Sequence, residues 1–309
     1  MQWGHIKTLF ILSFLLLDIY LVVQFMEKQD NADLGILDNP ETSIADRLES
    51  ENITIHPSLN MEITEETYIL SSQKHFNRDD FEPLGDSQEI AFLDGNQFLI
   101  SQFDEPIPLP EEPEKEDIIS KLHGKILHFE SYSFWEWNKD LNIVVFFQKQ
   151  NERPVFYNEN GIILVFLNDK NEMTHYTQTT LDEPEVQGSG TKPLIEPIQA
   201  VETLYNNNNI KPDEEVTDVK MGYYSRFNSE EEQVFAPTWK ITVNEDRDYF
   251  INAIEGFIFS SNETTDLYTM IEEIKLKVQA LDDESDVKKS FMDLLDNYNR
   301  SEIKNDVKF

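Results

Sequence analysis

The chain has 309 residues, carries 60 acidic against 25 basic side chains for a formal net charge of −35, and contains no cysteine. A charge of that sign repels nucleic acid and anionic lipid headgroups, and its ordinary role is to keep a chain soluble. Without cysteine there is neither a disulfide framework nor a thiolate nucleophile.

The first element is Ile6 to Met26, IKTLFILSFLLLDIYLVVQFM. At about 1.5 Å per residue it makes a helix about 30 Å long, the thickness of a bilayer's hydrocarbon. Its Leu, Ile, Phe and Val residues each favour insertion by about 0.3 to 0.6 kcal/mol. Together they outweigh Asp18, which costs about 2.5 to 3.5 kcal/mol near the middle. No small-residue pair follows the apolar run, so it reads as a permanent transmembrane anchor over 6–26 rather than a cleaved signal peptide. Lys7 lies at its start and Glu27, Asp30 and Asp33 follow it. This charge order puts residues 1–5 in the cytoplasm and everything after Met26 outside. An exported chain of this size without disulfides points to a bacterial source.

An ionisable group at bilayer depth normally faces another helix or a wet cavity. Ser13, Tyr20 and Gln24 form one stripe of the span, and Asp18 lies about 140° round from it at 100° per residue. Asp18, Ser13, Tyr20 and Gln24 are therefore the candidate contacts to a partner helix; the alternative is a protonated Asp18 tolerated in lipid.

Residues 27–42 are polar and acidic and read as a stalk. Ser43 is placed to cap a short helix bearing Ile44, Ala45 and Leu48. Strands are expected at 67–72, 89–93 and 97–102, with Asp94-Gly95 turning the last two. The Pro- and Glu-rich stretch 107–116 reads as an extended connector. A helix then starts near Glu116, with Ile118, Ile119, Leu122 and Ile126 at helical spacing. His128 to Thr179 reads as an antiparallel meander, its apolar runs separated by Asn, Asp, Gly and Lys. Residues 182–193, DEPEVQGSGTKP, read as a hinge. A second helix over 194–205 and strands at 216–227, 234–243, 248–252 and 257–260 follow. The expected organisation is a first α+β unit or units over 43–181, a second over 194–261, and a charged helical tail over 262–309 that is dispensable for folding.

An internal echo supports repeated units. Arg153-Pro-Val-Phe-Tyr-Asn-Glu-Asn-Gly161-Ile-Ile resembles Arg247-Asp-Tyr-Phe-Ile-Asn-Ala-Ile-Glu-Gly256-Phe-Ile with one residue inserted, and Phe92 to Phe98 around Gly95 reads as a degenerate third copy. The fold class is α+β: an N-terminal transmembrane helix, then repeated units of helix plus antiparallel meander. Trp239, Phe250, Ile258, Phe146 and Phe156 lie on apolar strand faces around the repeated glycine turns and are the expected core.

Catalytic signals are weak. There is no Gly-x-Ser-x-Gly, no Gly-rich phosphate loop and no Asp-x-Asp-x-Asp-Gly calcium loop. His123 and His128, five residues apart across a helix-to-strand junction, are a poor pair of metal ligands. Neither enzyme chemistry nor a cofactor is expected.

Two sets of residues resemble one family. Met1-Gln-Trp3-Gly-His-Ile-Lys7-Thr8, then Phe14-Leu-Leu-Leu-Asp18-Ile-Tyr20-Leu21, resembles the anchor of the YycI (WalI) proteins of low-GC Gram-positive bacteria. Gly222-Tyr-Tyr, Pro237-Thr-Trp239-Lys-Ile, and Tyr249-Phe-Ile-Asn-Ala253 through Gly256 resemble that family's C-terminal region and the β-hairpin of PepSY-type modules. The resemblance covers about residues 1 to 260; the tail lies beyond it. It implies a non-enzymatic regulator of the WalKR/YycFG two-component system. Its implied partners are a sensor histidine kinase like WalK (YycG) and a YycH-like sister membrane protein, engaged largely through the membrane spans. The alternative is an extracytoplasmic PepSY-like binding or inhibitor module for which the span is a mere tether.

Overall fold

The structure is a computed structural model and describes residues 7, 10–22, 43–56, 59, 63–84, 87–188, 190–226, 231–259, 263–281 and 285–305. Backbone contacts divide the chain into two units, Met1–Ser50 and Glu51–Phe309. In the first unit, residues 10–22 form helix α1, with every residue exposed. Helix α2 (Ile44–Ser50) follows. Ser43 caps it reciprocally with Asp46: the Asp46 N–H donates to Ser43 Oγ at 3.1 Å, and the Ser43 N–H donates to Asp46 Oδ2 at 3.0 Å. The stalk expected over 27–42 lies outside the described residues.

The second unit is mixed α+β and dominated by sheets. In chain order it contains β1 (Thr54–Ile55), β2 (Glu65–Glu66), β3 (Ile69–Ser71), β4 (Gln88–Leu93), β5 (Phe98–Pro108), helix α3 (Lys115–Leu122), β6 (Tyr132–Asn138), β7 (Ile143–Gln150), β8 (Arg153–Pro154), β9 (Ile162–Leu167) and β10 (Glu172–Gln178). Then come β11 (Glu185–Val186), β12 (Lys192–Pro193), helix α4 (Pro197–Asn206), β13 (Glu215–Tyr224), β14 (Gln233–Val243), β15 (Arg247–Asn252), β16 (Ile258–Phe259), α5 (Glu263–Gln279) and α6 (Asp286–Asn305). One antiparallel sheet runs β4-β5-β10-β9-β7-β6, with β8 on β7. A second runs β1-β13-β14-β15-β16; β3 pairs with the start of β14, and β11 with β3. Strands from either side of 182–193 thus share a sheet, and the stretch expected to be a hinge supplies β11 to β3 and β12 to β2.

Local chemistry accounts for most boundaries. Glu114 and Asp117 form a capping box that starts α3 at Lys115, and Gly124 (φ +76°) follows its end. Pro197 at the first turn and a Glu196–Gln199 capping box start α4, so that helix begins three residues later than expected. Strand β5 runs through the Pro-rich stretch as far as Pro108, because Ile107 and Pro108 still pair with Met173 and Glu172 of β10.

The echoed segments are local structural equivalents. Asn151 and Glu152 (φ 48° and 61°) make the two-residue turn from β7 to β8, and Asn244 and Glu245 (φ 55° and 59°) turn β14 into β15. Further on, a buried asparagine holds each copy's next turn. Asn158 Oδ1 accepts from the Asn160 N–H at 3.1 Å, and Asn252 Oδ1 accepts from the Ile254 and Glu255 N–H groups, each at 2.9 Å. Gly161 and Gly256 then donate to the Asn158 and Asn252 carbonyls at 3.1 and 2.8 Å. The equivalent rings Phe156 and Phe250 touch, with centroids 5.0 Å apart. Gly222 permits this meeting, since a β-carbon there would lie 2.3 Å from Phe156 Cε2 and 2.5 Å from the Pro154 carbonyl oxygen. The Phe92–Phe98 stretch is a different turn, with positive φ at Asp94, Gly95 and Asn96 in succession.

Both faces of the first sheet are covered. On one face Leu99, Val144, Phe146, Ile163, Val165 and Tyr176 pack with Ile118 and Leu122 of α3 and with Phe76 and Phe81. On the other, Phe98, Ile100, Ile143, Leu164 and Phe166 pack in one cluster with Leu267, Met270, Ile271, Ile274 and Val278 of α5 and Val287, Phe291 and Leu295 of α6. The expectation of a dispensable tail is therefore corrected: Glu272, Asp286, Lys289 and Asp293 are exposed on the outer side of α5 and α6, and the inner side of the two helices completes the core. Of the expected core residues, Trp239, Phe146, Phe156 and Phe250 are buried, while Ile258 is half-buried in the short strand β16.

Candidate interaction site

Three of the four expected partner contacts, Ser13, Asp18 and Tyr20, lie on α1, and Gln24 lies outside the described residues. Ser13 Oγ donates back to the Phe10 carbonyl at 2.8 Å, which satisfies its hydroxyl within the helix. Around these polar positions Phe10, Ile11, Leu12, Leu15, Leu16 and Ile19 are more than half exposed, and Leu17 nearly so. A one-turn helical spacing cannot bury such a surface against itself, so α1 presents apolar area with three polar interruptions. Among the described residues no helix is long and apolar enough to cross a membrane. Residues 10–22 account for about 20 Å at the helical rise, short of the about 30 Å of a bilayer core.

In the second unit, ionisable side chains gather where the sheets meet. Lys240 of β14 is 7% exposed. Its Nζ lies 2.7 Å from Asp248 Oδ2, 3.9 Å from Asp218 Oδ2 and 4.7 Å from the centroid of the Trp135 ring. Trp135 comes from β6 of the other sheet and donates its indole N–H to Tyr157 Oη at 3.1 Å. Burial raises the pKa of neighbouring Glu136, and the Asp248 carboxylate pushes the same way. The lysine is thus shared between carboxylates of its own sheet and an indole face of the other, and it ties the two sheets together. The sequence signal for this cluster was strand alternation, which turns Lys240 to the opposite face from Trp239.

His123 ends α3, and His128 adopts φ +54° at the turn before β6. Among the described residues no three His, Cys, Asp or Glu side chains are grouped to hold a metal. His175 is the most perturbed histidine. It is 5% exposed, and its Nε2 lies 2.9 Å from Ser290 Oγ on α6. Ser290 in turn donates to Gln102 Oε1 at 2.5 Å, so the Nε2–H tautomer of His175 completes the chain of donors.

Burial lowers the His175 pKa from 6.5 to about 4. The folded protein thus binds this proton less tightly than the unfolded chain does. The neutral ring's contribution to stability is complete above pH 6.5 and is lost as the pH falls toward 4, by about 3 kcal/mol. Urea unfolding at pH 7 and pH 4.5 checks this: His175→Gln should lose less stability between the two pH values than wild type. Equal losses would contradict it.

A family model described as YycI protein matches residues 32–254, a range that takes in neither α1 nor α5 and α6. No curated protein matches the chain. Among solved structures, the chain is similar to an uncharacterized protein from Eubacterium rectale ATCC 33656, at a TM-score of 0.42 and 10% identity, covering 68% of this chain and 91% of that one. It is also similar to YycH from Bacillus subtilis, at a TM-score of 0.33 and 12% identity, covering 58% of this chain and 51% of that one.

Proposed function

The chain belongs to the YycI family, and from that premise we propose that it is a non-enzymatic regulator of the YycFG two-component system, anchored in the membrane by residues 6–26. In this reading its N-terminus is cytoplasmic and its sheets lie outside the cell. Through that span it associates with a WalK-like sensor histidine kinase and a YycH-like sister protein. The observation that carries the membrane part is α1: a helix whose apolar side chains are all exposed, interrupted by Ser13, Asp18 and Tyr20. Lipid is the solvent that suits its apolar area, and a neighbouring membrane helix is the partner that suits Asp18.

The test is co-purification of kinase and sister protein with wild type, Asp18→Leu, Gln24→Leu and the double variant. A hydrogen bond between membrane helices is worth about 0.6 to 2 kcal/mol, so each single variant should capture about threefold to thirtyfold less partner and the double variant less again. Membrane levels should hold, because each substitution makes the span more apolar. Equal capture by all four proteins would place recognition outside these side chains.

A further inference from the structure

Helix α5 does not seal the sheet completely. Between it and strands β5, β9 and β10 lies a cavity of about 230 Å³. Phe98, Ile162, Leu164, Met270 and Ile274 make its apolar walls. For comparison, an apolar cavity of about 150 Å³ takes up benzene, so this one has room for an aromatic ring and a short arm.

Its polar groups are unequally occupied. Thr179 Oγ1 donates to the Glu159 carbonyl at 2.6 Å and Gln73 Nε2 donates to the Gln97 carbonyl at 3.1 Å. Thr177 is 2% exposed and lines the cavity. Among the described residues its hydroxyl has no hydrogen-bond partner. The hydroxyl is open to the cavity rather than sealed in the protein, so whatever fills the cavity can hydrogen-bond it. At the mouth, the Lys277 cation is neutralised by Asp94, 2.5 Å away. The Glu273 carboxylate lines the same mouth, and no described residue pairs with it. The site therefore offers apolar walls, one hydroxyl acceptor and one uncompensated negative charge, on a chain whose net charge of −35 concentrates cations at its surface.

We propose that this cavity binds a small organic cation: an apolar body of about one ring on the Phe98–Ile274 walls, with a primary ammonium donating to the Thr177 hydroxyl and the Glu273 carboxylate. Such a ligand bridges α5 to the sheet. The inference depends on neither the anchor nor the partners proposed above.

The probes are 2-phenylethylamine, 2-phenylethanol and 3-phenylpropanoate, titrated by saturation-transfer NMR into the full chain in nanodiscs. The amine should bind saturably, the alcohol at least about fivefold more weakly, and the carboxylate not at all, since a charge-assisted contact of this kind is worth about 1 kcal/mol or more. Glu273→Gln, which keeps the side chain's shape and removes its charge, should abolish the amine's advantage and leave the alcohol unchanged. Thr177→Val, of similar shape, should weaken both. Saturable binding of none of the three overturns the proposal. So does equal binding of amine and carboxylate, or amine binding untouched by Glu273→Gln, which would be attraction to the acidic surface alone.

Discussion

Ending the chain after Phe259 should abolish cooperative unfolding of the sheet-containing unit. The truncation removes Leu267, Met270, Ile271, Ile274, Val278, Val287, Phe291 and Leu295, each at most 8% exposed. At about 1.5 to 3 kcal/mol per buried side chain, the lost burial is on the order of 10 kcal/mol, the size of a whole domain's stability. It would also uncover Phe98, Ile100, Ile143, Leu164 and Phe166, a contiguous apolar face that promotes aggregation. Thermal unfolding and size-exclusion chromatography of the two lengths measure this. A soluble truncated chain with an unchanged midpoint would mean that α5 and α6 are ornaments on a core complete without them.

The second large effect is expected at Trp239. It lies between Met221 of β13 and Ile251 of β15, is fully buried, and donates its indole N–H to the Ile195 carbonyl at 3.0 Å, just before α4. Trp239→Ala leaves a cavity in the second sheet and orphans that carbonyl. The expected loss is about 3 to 5 kcal/mol, which lowers Tm by on the order of 10 °C. A loss under about 1 kcal/mol in urea unfolding would mean that the neighbouring side chains collapse into the space.

Much of the fold was legible because its turns carry their own chemistry. The Asn158–Gly161 and Asn252–Gly256 turns are short-range features that fall inside the two echoed stretches, and the echo located both; the Asn151-Glu152 and Asn244-Glu245 turns just before them went unread. The covers of the sheet were not legible in the same way. Ile143 to Phe147 and Ile162 to Leu167 lack alternation and are buried throughout, the mark of a strand enclosed on both faces. That mark called for a second layer of helix. The charged residues between Leu267, Ile271, Ile274 and Val278 concealed that layer, although the spacing itself is that of an inward stripe. Extension of β5 to Pro108 and the pairing of Lys240 with Asp248 depend on register with distant or neighbouring strands, which local sequence does not specify. Ser13, Asp18 and Tyr20 were readable as polar interruptions of an apolar helix.

Residues 6–26 are proposed to recognise partners as well as hold the protein in place. The most direct measurement replaces them with an unrelated apolar span that has no polar position at mid-depth and keeps every residue from Glu27 onward. Output of the two-component system and capture of the kinase and sister protein are then read at matched membrane levels. The expected result is normal abundance with both regulation and capture lost. Full regulation from the exchanged span would contradict it and leave the chain a tethered binding module that works through its sheets alone.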